Sequence, residues 1–189
     1  MDPSTDYKTV LRHEVLYGLF LFLICFLLAN LEVQIEGQNG WAANLPTWRI
    51  MDPRLTWLFG GRPVTGYHVF LNLLLLTFFH LPMVFTHFTW RKEVALLSGF
   101  GMIAVCWDFL WFVINPHFGL AKYSAEFIWW FKHWRLGFPI DYYWGLLASF
   151  IINLLPGLAN SKLRRELALG WAMRLMIVVA LIGVVALVY

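Results

Sequence analysis

Asp108 stands inside an apolar run, GMIAVCWDFLWFVI. An ionisable group in such a run must face a partner, water or a ligand, because bare charge in hydrocarbon is costly. An acid so placed suits proton transfer, metal binding or a buried ion pair. His68 and Asn72 are four residues apart and therefore share one helix face. With Glu32 or Glu36, at the end of an earlier apolar run, they could converge on a single pocket. The expected acid/base set is Asp108, His68, Asn72, His133 and Glu32, with Asn115, His117, Glu126, His133 and Asp141 closing the pocket from above. The residues His68, Asp108, His117, Glu126, His133 and Asp141, with Glu32, also form a pool of ligands that would suit zinc or non-haem iron. No HExxH, ExxH or paired-histidine spacing prearranges them, so their convergence depends on the fold. The alternative is a hydrogen-bonded acid/base cluster without metal.

The elements that must position these groups follow from composition. Of 189 residues, 60% are hydrophobic and 13% charged, against about 25% charged in a soluble domain. Apolar stretches cover about 15–31, 67–88, 94–114, 142–158 and 168–189. Each approaches the roughly 20 residues that a helix needs to cross a bilayer, and closed backbone hydrogen bonding makes helices the required form. The expected fold is an all-α integral membrane protein. It is one transmembrane domain over 1–189, a bundle of about five helices with a structured outer segment at 32–66 and an interfacial amphipathic helix at 124–135. At 1.5 Å of rise per residue from the cytoplasmic ends, Asp108 lies about 21 Å up, Asn72 about 24 Å, Glu32 about 25 Å and His68 about 30 Å. All four belong to the outer half.

Orientation comes from the short loops. Lys8 and Arg12, Arg91 and Lys92, and Lys162, Arg164 and Arg165 fall on one side, which the distribution of basic residues makes cytoplasmic. The N-terminus is then cytoplasmic and the C-terminus outside. The first run lacks an A-x-A cleavage signature and is read as a retained anchor. Arg174, low in the last run, is expected to snorkel to the nearer surface. His80 lies at a depth that would let it pair with Asn153. Pro82 and Pro156 should bend or break their helices, and Trp41, Trp48 and Trp57 suit the headgroup level. Cys25 and Cys106 lack a CxxC spacing and read as small core residues.

Trp48-Arg49, with His68 and Asn72 in HxxxN spacing, resembles one segment of rhomboid proteases. The nucleophile that this resemblance implies is missing. Ser98-Gly99 falls near the cytoplasmic end of its run, and no later run carries a histidine, so serine protease chemistry is excluded. Six dispersed histidines likewise do not make the boxes of membrane desaturases. The basic residues are scattered, which argues against nucleic acid. Expected partners are the bilayer and an apolar or lipid-like small molecule, and the reading admits an oligomer. The function expected is a membrane-embedded enzyme whose carboxylate/histidine pocket opens in the outer leaflet. The alternative is a non-catalytic subunit, assembly factor or small transporter or channel.

Overall fold

The computed structural model describes residues 7–58 and 60–189. In chain order the helices are α1 (Tyr7–Glu36), a short α2 (Pro53–Leu58), α3 (Gly66–Val84), α4 (Trp90–Ile114), α5 (Ile140–Leu154) and α6 (Ser161–Ala186). Helices α1, α3, α4 and α6 are long and apolar enough to cross a membrane, and the chain is an integral membrane protein. The fourth apolar stretch is shorter than its hydropathy suggests. It forms α5, of 15 residues, and ends in a 3₁₀ turn at Leu155–Gly157. Pro156 explains the stop, since it has no N–H to donate and its ring clashes with the carbonyl four residues back.

Two small antiparallel pairs occupy the connections at one end of the bundle, called here the cap side. Strand β1 (Arg49–Ile50) pairs with β2 (Val64–Thr65), and β3 (Trp134–Arg135) with β4 (Phe138–Pro139). The helix expected at 124–135 does not form; that stretch is a series of turns leading into β3. Ile128 and Trp130 are 0% and 3% exposed, while Trp129 between them is 59% exposed. Positions 128 and 130 lie about 200° apart on a helix, so no single helix face could bury both. Burial of the large side chains prevails over local helical preference.

Helix α4 is the most buried of the four long helices and packs against α1, α5 and α6. Small residues permit this. Gly99 lies against the Tyr17 hydroxyl, where a Cβ would overlap it, and close approach of backbones is what holds helices together in lipid. Ser98 Oγ donates to Ser149 O at 2.9 Å and Ser149 Oγ donates to Ser98 O at 2.7 Å, tying α4 to α5.

The end away from the cap is closed by charge. Arg174 does not snorkel; it is 4% exposed and pairs with Glu14 of α1 at 2.8 Å. Its Nε also donates to Gly170 O at 3.1 Å, and its guanidinium lies 5.1 Å from the Tyr17 ring centre. An acid within reach on α1 removes the need for Arg174 to reach water. Asn153 is likewise engaged, donating to Leu167 O at 2.8 Å. His80 turns instead to Leu76 O at 2.6 Å and Glu93 at 3.1 Å. The expected His80–Asn153 pair is absent because each has a nearer partner. Removing one member of a buried pair strands the other charge. Arg174→Ala is therefore expected to cost about 3–5 kcal/mol, read as unfolding free energy in detergent. The neutral double variant Glu14→Gln with Arg174→Met is expected to recover most of that loss.

Candidate functional site

Helix α1 stops at Gly37, whose left-handed backbone (φ 60°) turns the chain over the bundle. Glu32 and Glu36 thus fall in the last turns of α1, four apart on one face, and not in the outer segment expected to begin at residue 32. Asn115 caps α4 and fastens these ends together. Its Nδ2 donates to Gly37 O at 2.8 Å, and its Oδ1 accepts from His117 N at 3.0 Å. Thr65 opens α3 by accepting from His68 N at 3.2 Å, and the same Oγ1 lies 2.6 Å from His68 Nδ1. Asn72, one turn on, donates to His68 O at 2.7 Å.

Between these helix ends is a cavity of about 150 Å³. Glu32 and Glu36 of α1, His68 and Asn72 of α3, and Asp108 of α4 all line it. Its remaining wall is mainly indole, from Trp41, Trp107, Trp111 and Trp130. Each carboxylate has a donor. Trp107 Nε1 donates to Glu32 Oε2 at 2.7 Å, and the Tyr67 hydroxyl to Glu32 Oε1 at 3.2 Å. Glu36 Oε1 accepts from Ala42 N, and Asp108 Oδ2 accepts from the Tyr142 hydroxyl.

The loop over the cavity is held in an uncommon shape. Trp41 and Ala42 are non-glycine residues at φ 46° and 52°, a conformation that costs about 1–3 kcal/mol at each and persists where the surroundings impose it. It brings Ala42 N to Glu36 and lays the Trp41 indole on the His68 ring, with centroids 4.3 Å apart and planes at 23°. Arg49 fixes the loop from behind by donating to the carbonyls of Ala42, Ala43 and Leu45. Gly40 is packed directly on Trp130, where a Cβ would overlap the ring. Trp41 is therefore part of the site and not a headgroup anchor; its Nε1 donates to Pro63 O at 2.9 Å. Trp48 is 47% exposed, and the Trp57 side chain lies outside the described residues.

Arg62 stands beside this wall. Its guanidinium lies 4.2 Å from the Trp41 ring centre and 4.7 Å from that of Phe131, and it bonds Asp141 at 2.9 Å. Burial pulls its pKa below the usual guanidinium value, and the charges of Asp141 and Asp108 oppose that shift.

The structure brings Glu32, His68, Asn72 and Asp108 together. It separates the others. His133 and Asp141 line a different, larger hollow of about 1000 Å³ with Arg62 and Lys132. His117 and Glu126 are exposed and line neither. Without a helix at 124–135, Glu126 and His133 are not brought onto one face above the cavity, and Asp141 is engaged by Arg62. The ligand pool of the sequence reading thus contracts. Glu32, Glu36 and His68 each offer an atom, and all three atoms lie within 4.8 Å of one another. The sequence offers Glu36 only as an alternative to Glu32, and the signal that would have joined them is their ExxxE spacing on one helix face. Trp111, Trp130 and Tyr142 carried no such signal, because their place at the site depends on tertiary packing.

Trp107→Phe and Trp111→Phe remove similar volume from the same wall, but only the first removes a bond to a buried carboxylate. In metal-free protein Trp107→Phe is expected to cost about 1–3 kcal/mol more than Trp111→Phe, read by unfolding of the two variants side by side. Comparison with protein-family models, with curated proteins and with solved structures finds no match to this chain.

Proposed function

We propose that the chain is a membrane-embedded enzyme acting on an apolar or lipid-like substrate in the cap-side cavity. One observation carries the reading: Trp41, His68 and Asn72 line both the acid cavity and a second groove, of about 310 Å³, along the flank of α3. The rest of that groove is largely aliphatic, including Val69, Leu73 and Leu76, and α3 is the least buried of the four long helices. A molecule dissolved in the bilayer can approach His68 sideways without leaving hydrocarbon. Its polar end or double bond then meets the carboxylates.

In this reading Asp108 is the proton-transfer group, with Tyr142 on one oxygen and the cavity before the other. His68 stands opposite it as proton carrier or ligand. Asn72 gives one N–H to His68 O, which leaves its second N–H and its carbonyl to orient substrate. Isomerisation, cyclisation and hydrolysis all draw on such a set. The competing reading, a non-catalytic module fastened by its polar cluster, calls for Asp108 in a dry ion pair. The cavity beside Asp108 favours the enzyme.

The topology proposed with it has α5, extended by its 3₁₀ turn, as a fifth crossing. The N-terminus is then cytoplasmic, and the cap and C-terminus lie outside. To test the function, total lipid extract would be incubated with purified wild type, Asp108→Asn and His68→Ala in nanodiscs and followed by mass spectrometry. The expected result is a lipid-soluble product formed by the wild type and reduced at least about 100-fold in both variants, the lower end for loss of a general acid or base. Identical product profiles from all three folded proteins would end the proposal.

A further inference from the structure

The cap side gathers three acids around one small space. Glu32, Glu36 and Asp108 line a largely apolar cavity, and the guanidinium beside it is bonded to a fourth acid, Asp141. The opposite end of the bundle shows the other solution, where Glu14 meets Arg174 directly. Ionised carboxylates taken out of water cost several kcal/mol each unless a cation or a proton compensates them.

The donor geometry favours a cation. His68 Nε2 lies 3.7 Å from Glu36 Oε1, and one Glu32 oxygen completes a triplet within 4.8 Å. Ligands at about 2.1 Å from an ion stand about 3.0 Å apart when adjacent and about 4.2 Å when opposite. The triplet is wider than an ion would hold it, and side-chain rotations that draw the atoms together by about 1–2 Å close it on one ion. The supporting contacts are those of a ligand set. When His68 Nδ1 donates to Thr65 Oγ1, Nε2 presents its lone pair to the cavity, and the stacked Trp41 fixes the ring plane. Each Glu32 oxygen accepts one bond from Trp107 or Tyr67 and retains a further lone pair for coordination.

A second observation points to a ligand independently. Trp111 is 3% exposed and lines this cavity, and its indole N–H has no hydrogen-bond partner. Buried N–H groups are nearly always satisfied. An oxygen borne by an ion would supply the acceptor once the indole turns its N–H toward the cavity.

We propose that Glu32, Glu36 and His68 bind one divalent first-row cation, of the manganese, iron(II) or zinc class, with Asp108 facing it across the cavity. Two carboxylates and an imidazole without thiolate select that class over copper(I), and the imidazole disfavours calcium and magnesium. The ion holds an oxygen, either water or the polar end of the substrate, in the cavity. Asp108 is left outside the ligand triplet and exchanges a proton with that oxygen. The assignment rests on the cavity being the working site, as proposed above, but its readout is metal content and not turnover.

The full chain in nanodiscs would be stripped with chelator, reloaded with Mn²⁺ or Zn²⁺ and assayed by plasma mass spectrometry and, for Mn²⁺, by paramagnetic resonance titration. One ion per chain is expected. Glu36→Gln and His68→Gln are each expected to weaken binding by at least about 100-fold, beyond the 10- to 100-fold typical of outer contacts. The ion should raise the melting temperature of the wild type and not of either variant, which separates lost ligation from lost folding. Absence of a bound ion in reloaded wild type overturns the inference, and so does wild-type affinity in either variant. Product lost in Asp108→Asn from a chain that binds no ion would leave the enzyme reading standing without the cation.

Discussion

A carboxylate in hydrocarbon must be given donors and compensating charge, and the cap side of this protein is organised by that requirement. Glu32, Glu36 and Asp108 come from two helices and meet in one small cavity walled mainly by indoles. The surrounding elements answer with donors: an indole from α4, a phenol from α3, a phenol from α5 and a backbone amide from the loop after α1. The left-handed turn at Trp41 and Ala42 makes sense on these terms, because a relaxed loop would deliver neither the amide nor the stacked ring.

The two ends of the bundle solve one electrostatic problem differently. Away from the cap, acid and base meet across α1 and α6, and the result is a fastening. At the cap, acids outnumber the cations that line their cavity, a strained loop covers them and an indole N–H lacks an acceptor. Surplus charge, strain and an unsatisfied donor at one place are features of a site that completes itself with a ligand. Helix α4 links the two regions, since its buried middle sets the spacing and its cap-side end carries Asp108, Trp107 and Trp111.

What the sequence made legible was whatever depends on local spacing. Asp108 in an apolar run, and His68 with Asn72 on one face, required only helical periodicity, and the structure gathers them with Glu32. What failed depended on which neighbour wins. Arg174 was sent to the surface because an acid 160 residues away cannot be seen from its own run. The 124–135 stretch reads as an amphipathic helix until the bundle end claims Ile128, Trp130 and Phe131 together. With that helix gone, His133, Glu126 and His117 leave the site. Glu36 lies beyond the apolar run, and only the helix end at Gly37 puts it on one face with Glu32.

The account stands on Glu32, Glu36 and Asp108 sharing one small space, and labelling of intact protein with a compact hydrophobic carbodiimide tests this directly. Carboxyl groups reached from the membrane add to the reagent and end as stable N-acylureas, and peptide mass spectrometry locates each adduct. A cavity of about 150 Å³ has room for one adduct, so modified chains should carry a single label distributed among the three positions. Chains labelled at two or three of these residues at once would show that the acids occupy separate environments, and the site described above would not exist.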